Sequence, residues 1–552
     1  MTENSGSLTA NVVDIDRRSI ELAEVCWQNG IITAIKMLGP QDTEQPYLTP
    51  GFIDAHIHLE SSLLPPAEFA RLAVRHGTVA TVSDPHEIAN ILGNDGVLWM
   101  LENVRQTPFH VLLGAPSCVP ATPFETAGAV LEAHEVEALL DTPGVGYLSE
   151  VMNFPGVLAA EPHLMAKIAA ARSRHRPVDG HAPGLTGADA ARYAAAGIGT
   201  DHECATLAEA EEKLANGMMI LIREGSAARN FEALHPLISR YPGRVMLCSD
   251  DRHPDDLSRG HINALAKRAV AHGHDVFDVL LAACLAPRRF YPLNIGEMRV
   301  GDAMNAALVE NLQDFTVVST WLDGVLAAEN HETRLHPYPC RPVNRFAAQP
   351  VTPEQLVIPA GQDSGTVTCR VIGAEDGQLL TQSLQLTLDV RDGAVVPDVE
   401  NDVLLLAVIN RYHPAPPALA LIRGFGLKSG ALASSVAHDS HNIVAVGCNA
   451  LELAQAVNAV IGAGGGLALT HHGNTDLLAL PLAGLMSDGD GDAVAAHYSA
   501  LTHSARTRLG CGLRAPFMTL SFMALLVIPE LKLSDKGLFD GRKFCLTDVL
   551  CH

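Results

Sequence analysis

Apolar and polar positions alternate over the first fifty residues. LTANVVDI (8–15), RSIELAEVCWQNG (18–30) and IITAIKMLG (31–39) follow the two-residue period of half-buried strands. Asn29-Gly30 between the second and third runs is a two-residue hairpin turn. No helix of ordinary length fits there.

From Leu48 the rhythm changes. An apolar run is followed by an Ala/Leu/Glu-rich stretch with helical spacing, again and again. The runs GFIDAHI, GTVATVSD, FHVLLGAP, GVGYLSEVM, RPVDGHAP, IGTDHE, GMMILIRE and RVMLCSDD read as strands. PPAEFARLAVRHG, EVEALLD, EPHLMAKIAAARSRH, TGADAARYAAAG, LAEAEEKLANG and FEALHPLISRYPG read as helices between them. About eight strand–helix units in roughly 250 residues is the size and repeat of a (β/α)8 barrel, here over residues 50–299. A doubly wound open sheet would carry a G-x-G-x-x-G turn after its first strand, and none is present.

After the barrel, residues 300–345 turn β-rich again, with Asp323-Gly324 as a second hairpin turn. They are expected to rejoin residues 1–49 in one small β-sandwich. HPYPCRPVNRFAAQPVTPEQ is proline-rich and aperiodic and reads as a linker. Residues 350–552 are expected to form an additional C-terminal α/β domain. The fold class is therefore α/β: a TIM barrel of the metal-dependent hydrolase type with two accessory units.

Composition narrows the partners. A net charge of −24 repels phosphate backbones, so a nucleic-acid partner is not expected. Charged residues make up 18% and mean hydropathy is +0.15, which suits a large buried core and a homo-oligomer, a dimer or larger. The 11 cysteines include no C-x-x-C pair and point to a reduced, cytoplasmic setting. No leader pattern opens the chain. FMALLVIPEL is far short of the ~20 residues of a membrane helix.

Barrel enzymes carry their chemistry at the C-terminal ends of the strands. His56-x-His58 closes the first strand, and residues two apart on a strand share a face. Asp84, His86 and Glu87 follow the second strand, Glu150 lies in the fourth, His181 follows the fifth, His202 and Glu203 the sixth, and Asp250-Asp251 the eighth. Imidazoles and carboxylates together suit divalent Zn, Mn or Fe. His56, His58, Glu150, His181, His202 and Asp250 are more ligands than one tetrahedral ion uses. Two ions sharing Glu150 would use them all.

At these residues the chain resembles the amidohydrolase superfamily: H-x-H on strand one, His on strands five and six, Asp on strand eight. Within it, PGFIDAHIHLESS, SDPHEIANILG, DGHAPGLTG, TDHE, CSDDRHP, GFGLKSGALASSVAHDSHNIVAVG and IPELKLSDKGLFD closely resemble the adenine deaminase family. Many superfamily members bridge their metals with a carboxylated lysine on strand four. YLSEVM offers Glu150 and no lysine, in keeping with the adenine deaminase pattern. The resemblance implies hydrolysis of free adenine to hypoxanthine and ammonia in purine salvage, with two divalent ions, Mn or Fe ahead of Zn.

That chemistry assigns expected roles. Asp250 moves a proton from the attacking water to the leaving amine. Glu87 protonates the ring, with Glu203 as the other choice. Asp84, His86 and Asp251 contact substrate or a further cation. His438 and His441 either reach the site from the C-terminal domain or form a hydrogen-bonded turn. His471 and His472 in THHGN read as structural, and SDGDGDA as a solvated loop. The competing functions are cyclic or N-acyl amide hydrolysis on the same barrel, and an inactive scaffold. The P-C-x-x-C of the zinc nucleobase deaminases, H-E-x-x-H and the P-loop are all absent.

Overall fold

Eight short parallel strands form the centre of the computed structural model: β1 (Phe52–Ile57), β2 (Thr78–Ser83), β3 (His110–Ala115), β4 (Val145–Val151), β5 (Val178–Gly180), β6 (Thr200–Asp201), β7 (Met219–Arg223) and β8 (Val245–Cys248). Residues 4–551 are described; Met1–Glu3, part of the stretch read above for a leader, and His552 lie outside them. β1–β5 pair in order as one sheet and β6–β8 as another. Two seams close the ring. The Gly199 N–H donates to Val178 O at 2.8 Å between β5 and β6. At the other seam the Asp250 N–H donates to His56 O at 2.9 Å and the His58 N–H to Asp250 O at 3.3 Å.

Every residue of β1, β2, β4, β7 and β8 is buried. Strands covered on both faces need continuous apolar runs rather than alternation, and the sequence supplies them. The outer layer includes helices Pro66–Ala73, Asn94–Val104, Ala133–Leu140, Pro162–Ser173, Gly187–Ala195, Leu207–Ala215 and Ile262–Ala271. FEALHPLISRYPG, read as one helix, is two short ones, Phe231–Leu234 and Leu237–Arg240. Pro236 lies at the break, where it lacks the N–H to continue the first. A further helix, His86–Leu92, follows β2 directly. Asp54 of β1 pins the ring, accepting the Ser249 N–H at 3.0 Å and facing His261 Nε2 at 2.8 Å.

The flanking strands before and after the barrel join one eight-stranded sheet. Tyr47–Pro50 is the link, parallel to Gly6–Asp14 on one side and antiparallel to Ala306–Val309 on the other. The sheet curls until Trp27 packs edge-on against Trp321 at 6.2 Å. The two layers of the expected sandwich are thus two halves of one sheet. Asn29-Gly30 (φ 52° and 79°) and Asp323-Gly324 (φ 46° and 77°) both take the left-handed conformation of two-residue hairpins.

Residues 336–352 have neither helix nor strand. A nine-stranded, almost wholly antiparallel sheet follows between Gly365 and Ala479, then helices Gly491–Thr507 and Pro516–Ser521 and a three-stranded sheet. Helix Ala450–Ala463 is capped at one end by Asn449 and at the other by Gly464, with φ 70°. His471 and His472 sit at a hairpin turn of the large sheet, and Asp490 of SDGDGDA caps helix Gly491–Thr507. No helix among the described residues is long and apolar enough to cross a membrane. All 11 cysteines are free.

Candidate metal and active site

The C-terminal ends of the barrel strands bring the six residues together. Glu150 is the hub: its Oε2 lies 2.9 Å from His181 Nδ1 and 3.1 Å from His202 Nε2, and its Oε1 lies 3.4 Å from His58 Nε2. Asp250 Oδ1 is 3.2 Å from His58 Nε2 and 3.5 Å from His56 Nε2. Asp250 takes φ 53°, a conformation that Asp tolerates better than most side chains. That turn places its carboxylate beside His56 and His58 of the neighbouring strand.

This donor set fits divalent cations. Ligand atoms about 2.1 Å from one tetrahedral ion stand about 3.4 Å from one another, which matches these spacings. Both ring nitrogens of His56 and Nε2 of His181 are buried without a hydrogen-bond partner, and buried polar atoms are rarely left so. The sets His56/His58/Asp250, His56/Glu150/His202 and His181/His202/Glu203 each place their ligand atoms within 4.8 Å of one another.

A second group adjoins the first. His86 Nδ1 is 3.1 Å from Asp84 Oδ2 and 3.4 Å from Glu150 Oε1. With His58 these three make a fourth set of close ligand atoms. Glu87 is not at the surface but 1% exposed. Its carboxylate accepts from His438 Nδ1 at 2.5 Å and from His441 Nε2. His441 Nδ1 accepts the Ala437 N–H at 3.2 Å, which leaves Nε2 as the protonated nitrogen. Burial opposes ionisation of Glu87, but the neighbouring imidazoles outweigh it and hold the carboxyl well below its usual range. Glu60 accepts the Ile88 N–H at 3.1 Å and so anchors this helix; burial pushes its carboxyl up to about 7.

His438 turns toward the barrel. Its Nε2 is buried without a partner, 4.0 Å from Asp251 Oδ1. Ser61 Oγ donates to the same Asp251 oxygen at 2.5 Å. The Phe522 ring stacks on His438 at 4.9 Å.

Three residues that the sequence analysis passed over complete the site. Arg223, at the end of β7, donates to Glu203 through both terminal nitrogens and to Asp250 Oδ2 at 2.7 Å. Burial opposes ionisation of Glu203 and Asp250, and the guanidinium reverses that, holding both carboxyls low. The signal was present: a charged residue at the end of a barrel strand. Leu379 and Phe522 come from the C-terminal domain and line the central cavity of about 30 Å³ with His438 and Asp439. A larger cavity of about 870 Å³ lies outside it and shares Glu203, Arg223 and Leu379. Fully buried Lys532 donates to the carbonyls of Leu379 (2.8 Å) and Phe522 (2.9 Å). Burial pushes its amine down to about 7.

Comparison with known proteins gives the family. Residues 47–327 match the amidohydrolase family, and residues 378–545 match the adenine deaminase C-terminal domain. An adenine deaminase of Salinibacter ruber is 54% identical over 99% of both chains. One from Sulfurovum is 51% identical over 98% of this chain and 99% of its own. One from Methanosarcina mazei is 46% identical over 98% of each. The chain belongs to the amidohydrolase family and, within it, to the adenine deaminases.

Proposed function

We propose that this protein hydrolyses free adenine to hypoxanthine and ammonia, with water adding at C6 and the exocyclic amine leaving. The observation that carries the reading is the convergence of His58, His181 and His202 on Glu150, with Asp250 against His56 and His58, in a chain 54% identical to a named adenine deaminase. Those six residues would hold two divalent ions, Mn or Fe ahead of Zn. Bound there, the ions supply Lewis acidity that brings the pKa of water near 7 and offsets charge developing on the purine.

The rest is side-chain chemistry. Asp250 takes the proton of the attacking water and returns it to the departing amine. Arg223, fixed to Asp250 Oδ2, keeps that carboxylate ionised and oriented. The ring nitrogen receives its proton from the Glu87–His438 pair, which recovers one from the C6 hydroxyl as the carbonyl forms and ammonia leaves. Glu87 was expected as the direct donor; its hydrogen bonds to His438 and His441 support a role behind His438, whose unpartnered Nε2 faces the cavity. Burial opposes protonation of His438, and Glu87 reverses that, raising the imidazole to about 9. It is therefore a proton carrier at neutral pH. Asp84 and His86 hold a further cation or the purine edge, while Glu203 and Asp251 border the substrate. Phe522 and Leu379 roof the cavity and exclude water.

A cytoplasmic setting fits the 11 free cysteines. Assembly into a homo-oligomer is supported by the edge strand Ile31–Pro40, where Met37 and Leu38 are exposed. The test is to load the protein with Mn or Fe, offer free adenine, and follow the purine absorbance and ammonia together. Stoichiometric ammonia supports the reading. Hydrolysis of cyclic or N-acyl amides with adenine left intact overturns it.

A further inference from the structure

A second group of imidazoles lies on the outer face of the barrel. Glu232 and His235 come from the short helix Phe231–Leu234 and the residue after it, and His272 follows helix Ile262–Ala271. We propose that Glu232, His235 and His272 form a separate transition-metal site, with His274 and Ser239 as its outer partners.

The geometry supports a built site. One ligand atom from each of the three lies within 4.8 Å of the others. The rings of His235 and His272 are 4.3 Å apart at 39°. His272 Nε2 is 3.7 Å from Glu232 Oε1. His235 Nδ1 stands 2.9 Å from His274 Nε2, and His274 Nδ1 stands 2.7 Å from Ser239 Oγ. With His235 and His274 each donating from Nδ1, this chain ends on the Ser239 hydroxyl oxygen and frees the lone pair of His235 Nε2. An outer partner that fixes the tautomer in this way is the usual companion of a metal-binding histidine. Phe231 forms the floor, stacked on His235 at 5.7 Å.

Arg268 pairs with Glu232 and also donates to Glu224 Oε1 at 2.8 Å. It keeps a partner when Glu232 turns to an ion. Two imidazoles and one carboxylate select zinc, nickel or copper over calcium and magnesium, and three protein ligands leave a position for water. None of the three residues lines the central cavity. Glu232 and Arg268 do line the outer one, so occupancy would rearrange a wall of that cavity.

The full-length protein, dialysed to equilibrium against zinc with the central ligands intact, tests the site by metal counting. H235Q/H272Q is expected to hold one zinc fewer per chain than the wild type, and E232Q to hold its zinc more weakly. H471Q/H472Q, which removes an imidazole pair with rings 4.0 Å apart elsewhere on the surface, is expected to keep the full count. Circular dichroism of each variant verifies folding. Equal counts in wild type and H235Q/H272Q overturn the proposal, as does an equal loss in H471Q/H472Q, which marks adventitious uptake by surface histidines only.

Discussion

The Glu87 carboxylate and the His438 imidazole meet at 2.5 Å across 351 positions of sequence. One belongs to the helix after β2 and the other to the C-terminal domain. Glu87 lies in the first turn of its helix, where the aligned backbone dipoles favour a negative charge. The C-terminal domain thus brings an imidazole to the barrel mouth and lines the cavity there with Leu379 and Phe522.

His438→Gln removes the proposed ring proton donor while keeping a side chain of similar length. Turnover should fall about 10²–10⁴-fold, the usual contribution of a positioned acid. Metal content should stay at the wild-type value. Steady-state kinetics with metal analysis checks both, and turnover within a few-fold of wild type would remove His438 from the chemistry.

Asp250→Asn keeps the shape of the side chain and removes the proposed base. The account predicts an almost inactive protein that still binds metal through the four histidines and Glu150. Retained activity would show that another group moves the proton.

Arg223→Met leaves the buried Glu203 and Asp250 carboxylates without their shared guanidinium. Breaking such a group costs about 3–5 kcal/mol. A urea titration of the metal-free protein should show the loss, and a midpoint matching wild type would contradict it. Arg223→Lys restores charge but not the fork between two carboxylates, so it should recover part of the stability and little of the activity.

Lys532 gives a pH signature. Its folded pKa is about 7, against about 10.4 in the unfolded chain. Between those values the unfolded state binds more protons, so this group makes stability rise with pH across that window. The burden is full below about pH 7 and absent above about 10.4; at 1.36 kcal/mol per unit it is about 4–5 kcal/mol. Lys532→Met should remove this part of the slope, so the wild type gains stability relative to the variant from pH 7 to 9.5. It should also raise KM, because Leu379 and Phe522 lose their common anchor. A constant gap contradicts the assignment.

The sequence shows the barrel strands plainly because doubly covered parallel strands need unbroken apolar runs, and those runs end in His56, His58, His181, His202 and Asp250. Their positions at strand ends made the cluster around Glu150 readable without coordinates. Arg223 ends a strand too, but no ion was sought from a guanidinium, so its link to Glu203 and Asp250 went unread. Leu379, Phe522 and Lys532 carry no periodic signal. Their importance comes from the packing of a distant domain on the barrel mouth, which local patterning does not encode. The joining of the two flanking segments was legible, but their union in one curled sheet through Tyr47–Pro50 was not, because which strands pair at that junction is a long-range choice.

The most direct test of the central claim is anomalous diffraction from crystals of the protein loaded with Mn or Fe. The account predicts two ions about 3.5–4 Å apart, on either side of the Glu150 carboxylate, with His56, His58, His181, His202 and Asp250 completing their coordination. A map with no ion at Glu150, or with the metal held by other residues, would contradict it.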